Sequence, residues 1–223
     1  MAELRKLIEE KMKILITAGP TREFIDPVRF ISNPSTGKIG YLIAEKLKSK
    51  GHSVTLISGP SCLKPPEKVK IVNVISAEDM KREVLRYFPE CDILIMSSAI
   101  SDWKPEKKFD EKIKRKMEWY LKLIPNPDIL QEVSKIKKRN QIIIGFALET
   151  ENIKENALKK LKGKKLDLII ADTPGFFGDS SSSKVIFISK NEKIEEFEKI
   201  SKEEVVEKIV KWINSFLSQG KYE

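Results

Sequence analysis

Two glycine-containing loops near the N-terminus combine the residue types that bind phosphate groups. Residues 17–22 (TAGPTR) directly follow an apolar run, and Gly19 allows the backbone to turn tightly and approach a ligand. Residues 33–40 (NPSTGKIG) open a predicted helix, where free backbone N–H groups and the helix dipole favour an anion. This loop is not a Walker A motif, because the glycine spacing before Lys38 is wrong and Ile39 occupies the Ser/Thr position. A nucleotide site and a tight packing turn both remain open.

Four further segments carry polar, charged or aromatic side chains where predicted strands end or helices begin. Residues 97–103 (SSAISDW) follow a strand, and Asp102 there can orient a hydroxyl or a magnesium ion, or cap a helix. Residues 111–116 (EKIKRK) can neutralise a triphosphate or form a solvated surface. Residues 126–129 (NPDI) offer the N–H groups of a helix start, although capping alone explains them. Residues 145–150 (GFALET) end a strand, and their aromatic ring can hold a base or pack in the core.

Short β-branched runs alternate with longer helical patterns along most of the chain, which predicts βαβ units and a parallel sheet. The predicted strands are residues 13–17, 53–58, 69–75, 92–97, 141–147, 167–171 and 184–189. The predicted helices are residues 39–49, 77–87, 126–136, 151–161 and 202–217, with Ser76 as an N-cap and Pro127 at a first helical position. The fold class is therefore α/β, a Rossmann-like, mostly parallel sheet flanked by helices on both faces. Ligands are expected beyond the carboxyl ends of its strands.

The chain is expected to form a single domain, because 223 residues can bury one full core without metal or disulfide bonds. Residues 13–218 are predicted to form the Rossmann-like nucleotide-binding domain. Residues 1–12 are predicted to be an N-terminal extension or linker, and residues 219–223 a C-terminal tail. The basic stretch 104–116 is too polar for a core element and too long for an ordinary connection. We predict a flap over the site there, with a solvated insertion as the alternative.

The composition favours small anionic partners. The net charge is +9 and the pI about 9.3, but the basic residues are spread along the chain and mixed with glutamate. Small phosphorylated molecules are therefore favoured over nucleic acid. Without an apolar run near ~20 residues or a secretory core, a cytoplasmic location and no membrane partner are expected. Two cysteines favour neither a disulfide framework nor a zinc site, and a single histidine excludes two-histidine mechanisms.

Taken together in chain order, these segments resemble phosphopantothenoylcysteine synthetase, the ligase of coenzyme A biosynthesis. The most specific match runs through residues 16–23 (ITAGPTRE), 26–33 (DPVRFISN) and 37–40 (GKIG). Residues 126–129 and 145–150 extend it, so that the likeness covers nearly the whole chain. The first match is long, which makes it far more specific than a single glycine loop.

The resemblance implies a two-step reaction. A nucleoside triphosphate activates the carboxylate of 4′-phosphopantothenate as an acyl-nucleotidyl anhydride and releases pyrophosphate. The amine of L-cysteine then attacks, which gives 4′-phosphopantothenoylcysteine and the nucleoside monophosphate. The bacterial form of the family uses CTP, by way of an acyl-cytidylate, and the eukaryotic form uses ATP; both need Mg²⁺. We expect the CTP-dependent type, with the ATP-dependent type as the alternative.

The resemblance also implies roles for individual residues. Asn33 is expected to hold the acyl intermediate for the cysteine step, and Lys112 to stabilise the charge that develops as pyrophosphate leaves. Nucleotide binding is expected at Gly19, Ser35, Gly37, Gly40, Asp102, Asn126, Pro127, Asp128, Ile129, Phe146, Lys160, Lys164 and Asp172. Substrate binding is expected at Arg29, Asn33, Ser98, Ala99 and Asp102. Arg29 is expected to reach the substrate of the neighbouring subunit, which implies a homodimer with shared sites. No metal ligand is assigned.

The chain departs from the family pattern at two places. Asp172 stands where the family usually has asparagine near the nucleotide, and residues 179–183 (DSSSS) replace an Asp-x-Asn pattern. Many bacterial members are also fused to an upstream flavin-dependent decarboxylase, for which this chain has no room. We therefore expect no flavin here, and either a standalone ligase or the ligase part of a fusion. A separate phosphopantothenoylcysteine decarboxylase is then a candidate partner.

Two other functional classes are less consistent with the sequence. A short-chain NAD(P) oxidoreductase also begins with a strand and a glycine loop, but it needs Tyr-x-x-x-Lys for proton transfer. None of Tyr41, Tyr87 and Tyr120 has a lysine four positions later. A non-catalytic nucleic-acid-binding domain would use the +9 charge, but it leaves the glycine loops and the segment around Asn33 unexplained.

Overall fold

The computed structural model describes residues 11–115, 118–173 and 183–218. The strands are β1 (Lys13–Ala18), β2 (Arg22–Phe24), β3 (Phe30–Ser32), β4 (Ser53–Ser58), β5 (Lys70–Asn73), β6 (Ile93–Met96), β7 (Trp103–Pro105), β8 (Leu123–Pro125), β9 (Ile142–Leu148), β10 (Leu168–Asp172), β11 (Ser183–Ser189) and β12 (Ile194–Ile200). The helices are α1 (Lys38–Ser49), α2 (Ala77–Tyr87), α3 (Ile129–Ile136), α4 (Ile153–Gly163) and α5 (Lys202–Ser218). A short 3-10 helix spans Phe88–Glu90.

Eight of these strands form one sheet in the order β12-β11-β10-β9-β6-β1-β4-β5. Six neighbouring strands of this sheet pair in parallel, in the order β10-β9-β6-β1-β4-β5. The strands β11 and β12 extend the sheet beyond β10 with antiparallel pairing. The predicted α/β class with a mostly parallel sheet is confirmed. Because the chain continues from β1 to β4 on one side and later to β6 on the other, the topological switch point lies between β1 and β6. Ligands bind at this point in open parallel sheets.

Helices cover both faces of the sheet, as the nearly unbroken apolar strands predict. Alternate side chains of β1 enter opposite cores. Ile14 and Ile16 pack in a cluster with residues of α1 and α5, whereas Leu15 packs in a second cluster with residues of α2, α3 and α4. The α1 and α5 helices therefore share one face of the sheet.

Helix starts follow capping chemistry more closely than apolar periodicity. Ser76 caps α2 as predicted: its hydroxyl accepts from the N–H of Asp79 at 3.1 Å, and the Asp79 carboxylate accepts from the N–H of Ser76 at 3.1 Å. The predicted start of the next helix at residue 126 was wrong. Asp128 is its N-cap and accepts from the N–H of Gln131 at 3.1 Å, so that Pro127 precedes the helix.

Five strands were not predicted from the sequence. Four of them are three-residue strands that form the hairpins β2–β3 and β7–β8, and three residues are too short for alternation to be visible. The fifth, β12, has the sequence IEEFEKI and is an edge strand, where charged side chains are tolerated. Residues 183–189 are therefore not the last strand of the sheet.

The basic stretch begins inside a hairpin, because Lys104 and Pro105 belong to β7. Pairing of β7 with β8 closes the base of the connection formed by residues 106–122, called here the basic segment. The described residues do not include 1–10, 116–117 and 219–223, nor most of the 179–183 loop. The predicted extension, tail and loop departure therefore stay predictions. Among the described residues, no helix is long and apolar enough to span a membrane.

Candidate functional site

A cavity of about 340 Å³ opens at the carboxyl ends of the parallel strands, beside the switch point. Its walls come from the loop before α1, the segment after β6, the ends of β9 and β10, and side chains of α4 and α5. Nine residues predicted for the site line it: Asn33, Ser35, Gly37, Ser98, Ala99, Asp102, Phe146, Lys160 and Asp172. The strand order thus brings together predicted residues that lie up to 139 positions apart in the chain (172 − 33).

Glycine is required where the loops of this cavity meet. Gly37 has a φ of 82°, and a Cβ atom there would lie 2.8 Å from the backbone nitrogen of Gly19. At Gly40, in the first turn of α1, a Cβ atom would lie 2.5 Å from the Cβ of Ala18. The predicted residues Gly19 and Gly40 do not line the cavity, and the geometry explains them by close packing of the helix start against β1.

The predicted residue Asn33 is held by the segment that follows β6. Its side-chain Nδ2 donates to the carbonyl oxygens of Ala99 at 3.2 Å and Ile100 at 3.1 Å. Among the described residues its Oδ1 has no hydrogen-bond donor, so this acceptor is available to a ligand. The Asn33 side chain is therefore oriented with both amide hydrogens engaged and its oxygen unengaged.

The segment after β6 is in turn fixed to the end of β1. Thr17, which is fully buried, accepts from the Ser98 hydroxyl at 2.9 Å, and its carbonyl accepts from the Ser97 hydroxyl at 2.6 Å. The N–H of Asn126 donates to the carbonyl of Asp102 at 2.8 Å. The predicted residues 126–129 do not line the cavity, but through Asn126 they support the segment that does.

Lysines supply the positive charge of the cavity, and two of them were missed by sequence reasoning. The predicted Lys160 lies 2.7 Å from the Glu149 carboxylate. Lys38 and Lys202, the first residues of α1 and α5, were not predicted but also line the cavity. A helix start after a glycine loop could have indicated Lys38. Local sequence offers no such signal for Lys202, because its place depends on how α5 packs. The predicted Lys164 pairs with Asp128 at 2.8 Å and does not line the cavity.

Asp172, at the end of β10, lines the same cavity. Burial raises the pKa of the Asp172 carboxyl to about 7, an effect that the nearby Lys202 ammonium partly opposes. This carboxyl therefore changes its charge near neutral pH, unlike an ordinary aspartate.

The basic segment is tethered through an ion pair between a buried aspartate and a part-exposed arginine that the sequence did not reveal. Asp26 is fully buried, and its carboxylate accepts from Arg29 Nε at 2.9 Å and from the N–H of Ile113 at 3.2 Å. The Arg29 guanidinium also donates to the Ile113 carbonyl at 2.8 Å, and it holds the pKa of Asp26 well below its usual range. Lys112, next to Ile113, is exposed and does not line the cavity. The roles predicted for Arg29 and Lys112 stay predictions.

The six-stranded parallel unit, the glycine loop at the start of α1 and the cavity at the switch point define a Rossmann-like α/β protein. A family model described as the DNA/pantothenate metabolism flavoprotein C-terminal domain matches residues 9–217, so the chain belongs to this family. The resemblance inferred from the sequence is thereby confirmed at the level of the family.

Two curated relatives are coenzyme A biosynthesis bifunctional proteins CoaBC. The protein from Borreliella burgdorferi is 42% identical over 202 residues, which cover 89% of this chain and 51% of the relative. The protein from Bacillus subtilis is 43% identical over 185 residues, which cover 80% of this chain and 45% of the relative. The chain thus spans about half the length of these relatives.

Solved structures identify which half is matched. The crystal structure of the C-terminal domain of CoaBC superposes with a TM-score of 0.80 at 38% identity, covering 96% of this chain and 98% of that domain. A Cab2 mutant in complex with phosphopantothenate-cysteine has a TM-score of 0.79 at 17% identity, covering 100% of this chain and 94% of its own. The latter likeness shows the shared fold.

Proposed function

We propose that this chain joins 4′-phosphopantothenate and L-cysteine to give 4′-phosphopantothenoylcysteine. CTP is the activating nucleotide, an acyl-cytidylate is the intermediate, and pyrophosphate and CMP are released. Membership of the family and similarity to the C-terminal domain of the coenzyme A biosynthesis protein support this reaction. The observation that carries it is the cavity at the switch point, which places Asn33, the glycine loop and several lysines around one space.

The first half-reaction needs charge neutralisation more than proton transfer. The start of α1 and the lysines of the cavity place positive potential where a triphosphate would bind. Lys112 then contributes from the basic segment, where it neutralises the charge that grows on the departing pyrophosphate. The single histidine is not needed in this scheme, since no step depends on a histidine base.

The second half-reaction uses the orientation of Asn33. Because its amide hydrogens are bound by the carbonyls of Ala99 and Ile100, its Oδ1 is directed to accept a hydrogen bond from the attacking cysteine amine. Ser98 and Ala99 line the same space and would confine the acyl group. Asn33 thus aligns the nucleophile with the acyl carbonyl.

The described residues fit a magnesium ion that is held mainly by the nucleotide. They contain no group of three His, Cys, Asp or Glu side chains that could form a protein cage. Mg²⁺ commonly binds through one or two carboxylates together with substrate phosphates. Asp102, whose side chain lines the cavity, would supply the carboxylate, and the ion would neutralise phosphate charge.

The preferred nucleotide is tested by pyrophosphate release with phosphopantothenate, measured with CTP and ATP in turn, with and without cysteine. Lys160, in α4, and Lys164, the C-cap residue of that helix, match positions that bind CTP in the bacterial type. We therefore expect faster release with CTP at matched concentrations. Equal or faster release with ATP would favour the ATP-dependent ligase instead, and no release with either nucleotide would refute the ligase.

A homodimer with shared sites is part of the proposal. Val28 and Phe30, on and beside the β2–β3 hairpin, are 57% and 40% exposed, and the Arg29 guanidinium lies 5.7 Å from the Trp119 ring centre. An exposed apolar surface next to Arg29 suits contact with a second copy. Inactive Arg29→Ala and Asn33→Ala chains should therefore restore activity when mixed, because hybrid dimers contain an intact site. Absence of recovery after proven subunit exchange would contradict shared sites.

The family context also suggests a partner and a location. The relatives are bifunctional, so we infer that a phosphopantothenoylcysteine decarboxylase acts with this ligase, either as part of the same polypeptide or as a separate protein. The cytoplasm, which is expected from the sequence, is the proposed location. Co-purification of decarboxylase activity with the tagged ligase would test the association.

A further inference from the structure

Lys202 is a buried lysine whose side chain lines the cavity. The residue is only 5% exposed, which is uncommon for lysine. It contributes to the wall of the cavity together with Lys38 and Lys160. A desolvated ammonium group attracts an anion much more strongly than an exposed one, because the effective dielectric constant is lower.

The elements around Lys202 point to the phosphate part of a ligand. Lys202 is the first residue of α5, and Lys38 is the first residue of α1. The two helix starts lie side by side, since Lys38 Nζ is 3.0 Å from the carboxylate of Glu203. Gly37, the N-cap of α1, makes no side-chain cap hydrogen bond, and the N–H of Lys38 donates to the Thr36 hydroxyl at 3.4 Å. The start of α1 and the Lys202 ammonium group therefore lie in the same part of the cavity, whereas the first turn of α5 is capped by Ser201.

Asp172 provides the opposing charge at the same place. It lines the cavity at the end of β10, and its carboxyl interacts electrostatically with Lys202. The pKa of Asp172 is raised to about 7 by burial, so the carboxyl is neutral below neutral pH and ionised above it. An ionised Asp172 attracts Lys202 and repels a phosphate, whereas a protonated one does neither.

Resting on the proposed function, we infer that Lys202 binds the phosphate groups of the nucleotide and that the Asp172 carboxylate competes with them for it. This assigns a further binding residue, Lys202, and a residue that sets affinity, Asp172. Nucleotide affinity is then highest when Asp172 carries a proton, and it falls as the pH rises through 7.

Other charged groups that face Asp172 do not reproduce this effect. On α4, Lys160 is paired with Glu149, which follows β9. On α1, Lys38 is paired with Glu203 of α5. Asp102, on the segment after β6, also lines the cavity. Lys202 is the cation to which the altered pKa of Asp172 is coupled.

The role of Lys202 is tested by calorimetric titration of the full chain with CTP and, separately, with cytidine. Lys202→Met should weaken CTP binding about ten- to a hundredfold, the usual cost of a lost hydrogen bond to a charged group. Cytidine, which has no phosphate, should bind equally to both proteins. Lys202→Arg keeps the charge and should recover part of the CTP affinity. Lys211→Met alters an exposed lysine on α5 outside the cavity and should change neither ligand.

The role of Asp172 is tested by comparing wild type and Asp172→Asn at pH 6 and pH 8. The two proteins are compared with each other at the same pH, because the phosphates of CTP titrate in this range and would by themselves change the affinity of either protein. At pH 6 the two proteins should bind CTP about equally. At pH 8 the variant should bind about tenfold more tightly, since one unit of pKa change on binding corresponds to a factor of ten.

Three results would overturn the inference. They are CTP affinity unchanged by Lys202→Met, an equal loss of CTP and cytidine affinity, or a wild type that binds no CTP at either pH. If the ratio of CTP affinities between wild type and Asp172→Asn is the same at pH 6 and pH 8, Asp172 does not compete with phosphate for Lys202. Ligase turnover is measured separately: CTP binding that depends on Lys202 but supports no pyrophosphate release would refute the proposed function and keep this inference.

Discussion

The cavity and the basic segment both offer positive charge, but they hold it in different ways. The cavity places Lys38 and Lys202 at helix starts, beside strand ends that are fixed by the ladder of the parallel sheet. The basic segment carries Lys112 on an exposed connection whose ties are the β7–β8 pairing and the Asp26 carboxylate. Cavity charges are therefore positioned before a ligand arrives, whereas the segment is held at few points.

The two settings also differ in the strength of the charges. In the cavity, Lys202 is buried and its ammonium group interacts in a medium of lower dielectric constant, whereas Lys112 is exposed and screened by water and salt. The electrostatic attraction of Lys112 for an anion becomes as strong as that of a buried lysine only where a bound substrate excludes water around it. The difference suggests a division of labour, in which the cavity binds the nucleotide and the basic segment acts on the charge that develops during reaction.

The largest expected effect separates the two half-reactions. Lys112→Gln should reduce acyl-cytidylate formation about 10²–10³-fold, the usual loss when one charge-stabilising group is removed from a transition state. Asn33→Asp should still form the intermediate but pass it slowly to cysteine, because a carboxylate cannot donate to the carbonyls of Ala99 and Ile100. The intermediate is quantified by mass spectrometry in quenched reactions without cysteine.

The matched control for this experiment is Lys114→Gln, an exposed lysine two positions from Lys112, which should behave like wild type. The assignment of the two roles is reversed if Asn33→Asp accumulates no intermediate while Lys112→Gln accumulates it freely. Lys112→Gln should also leave the free energy of unfolding within about 0.5 kcal/mol of wild type, as expected for an exposed side chain.

A smaller effect is expected from loosening the basic segment. Asp26→Asn removes the charge that holds the Arg29 guanidinium and weakens the acceptor of the Ile113 N–H. Turnover should fall about ten- to a hundredfold while CTP affinity stays unchanged, because charge-assisted hydrogen bonds of this type contribute about 1.5–3 kcal/mol. Turnover of wild type and Asp26→Asn is measured from steady-state rates, and CTP affinity is measured by calorimetric titration.

A control on the same segment is Glu106→Gln, which breaks the exposed pair of Glu106 with Lys122 and should change turnover less than twofold. Equal losses of CTP affinity and turnover in Asp26→Asn would show that the segment also binds the nucleotide. That result would contradict the proposal that the cavity alone binds the nucleotide while the basic segment acts during the reaction.

The smallest expected effect concerns stability and belongs to the cavity. The folded pKa of Asp172, about 7, lies above its unfolded value of about 4, so folding takes up a proton between these pH values. Asp172 therefore costs stability increasingly as the pH rises from about 4 to 7. The gain in unfolding free energy from Asp172→Asn should be about 2–3 kcal/mol larger at pH 8 than at pH 5.

Thermal or denaturant unfolding at the two pH values measures this difference. Ser35→Ala is the matched control, because it alters another side chain of the same cavity that does not titrate, so its effect on stability should be the same at both pH values. A gain from Asp172→Asn that is the same at pH 5 and pH 8 would mean that Asp172 is ionised in the folded protein throughout this range.

Local signals in the sequence determined most of the architecture. Alternating β-branched and helical patterns predicted the α/β class, and the glycine loops before α1 predicted where a ligand cavity would lie. Nine of the predicted site residues line that cavity, and those at the ends of β6, β9 and β10 meet there because the carboxyl ends of parallel strands lie at the same edge of the sheet. Short hairpins were missed, since three residues carry no visible period.

Only the tertiary structure decided which side chains meet. Asp26 and Ile113 are 87 positions apart, and nothing local to either predicts the hydrogen bond between them. Lys202 enters the cavity because α5 returns across the sheet beside α1 after the charged edge strand β12, which has no apolar signature. Periodicity determines which face of an element is buried, whereas polar contacts between distant elements follow from strand order and helix packing, which no local window contains.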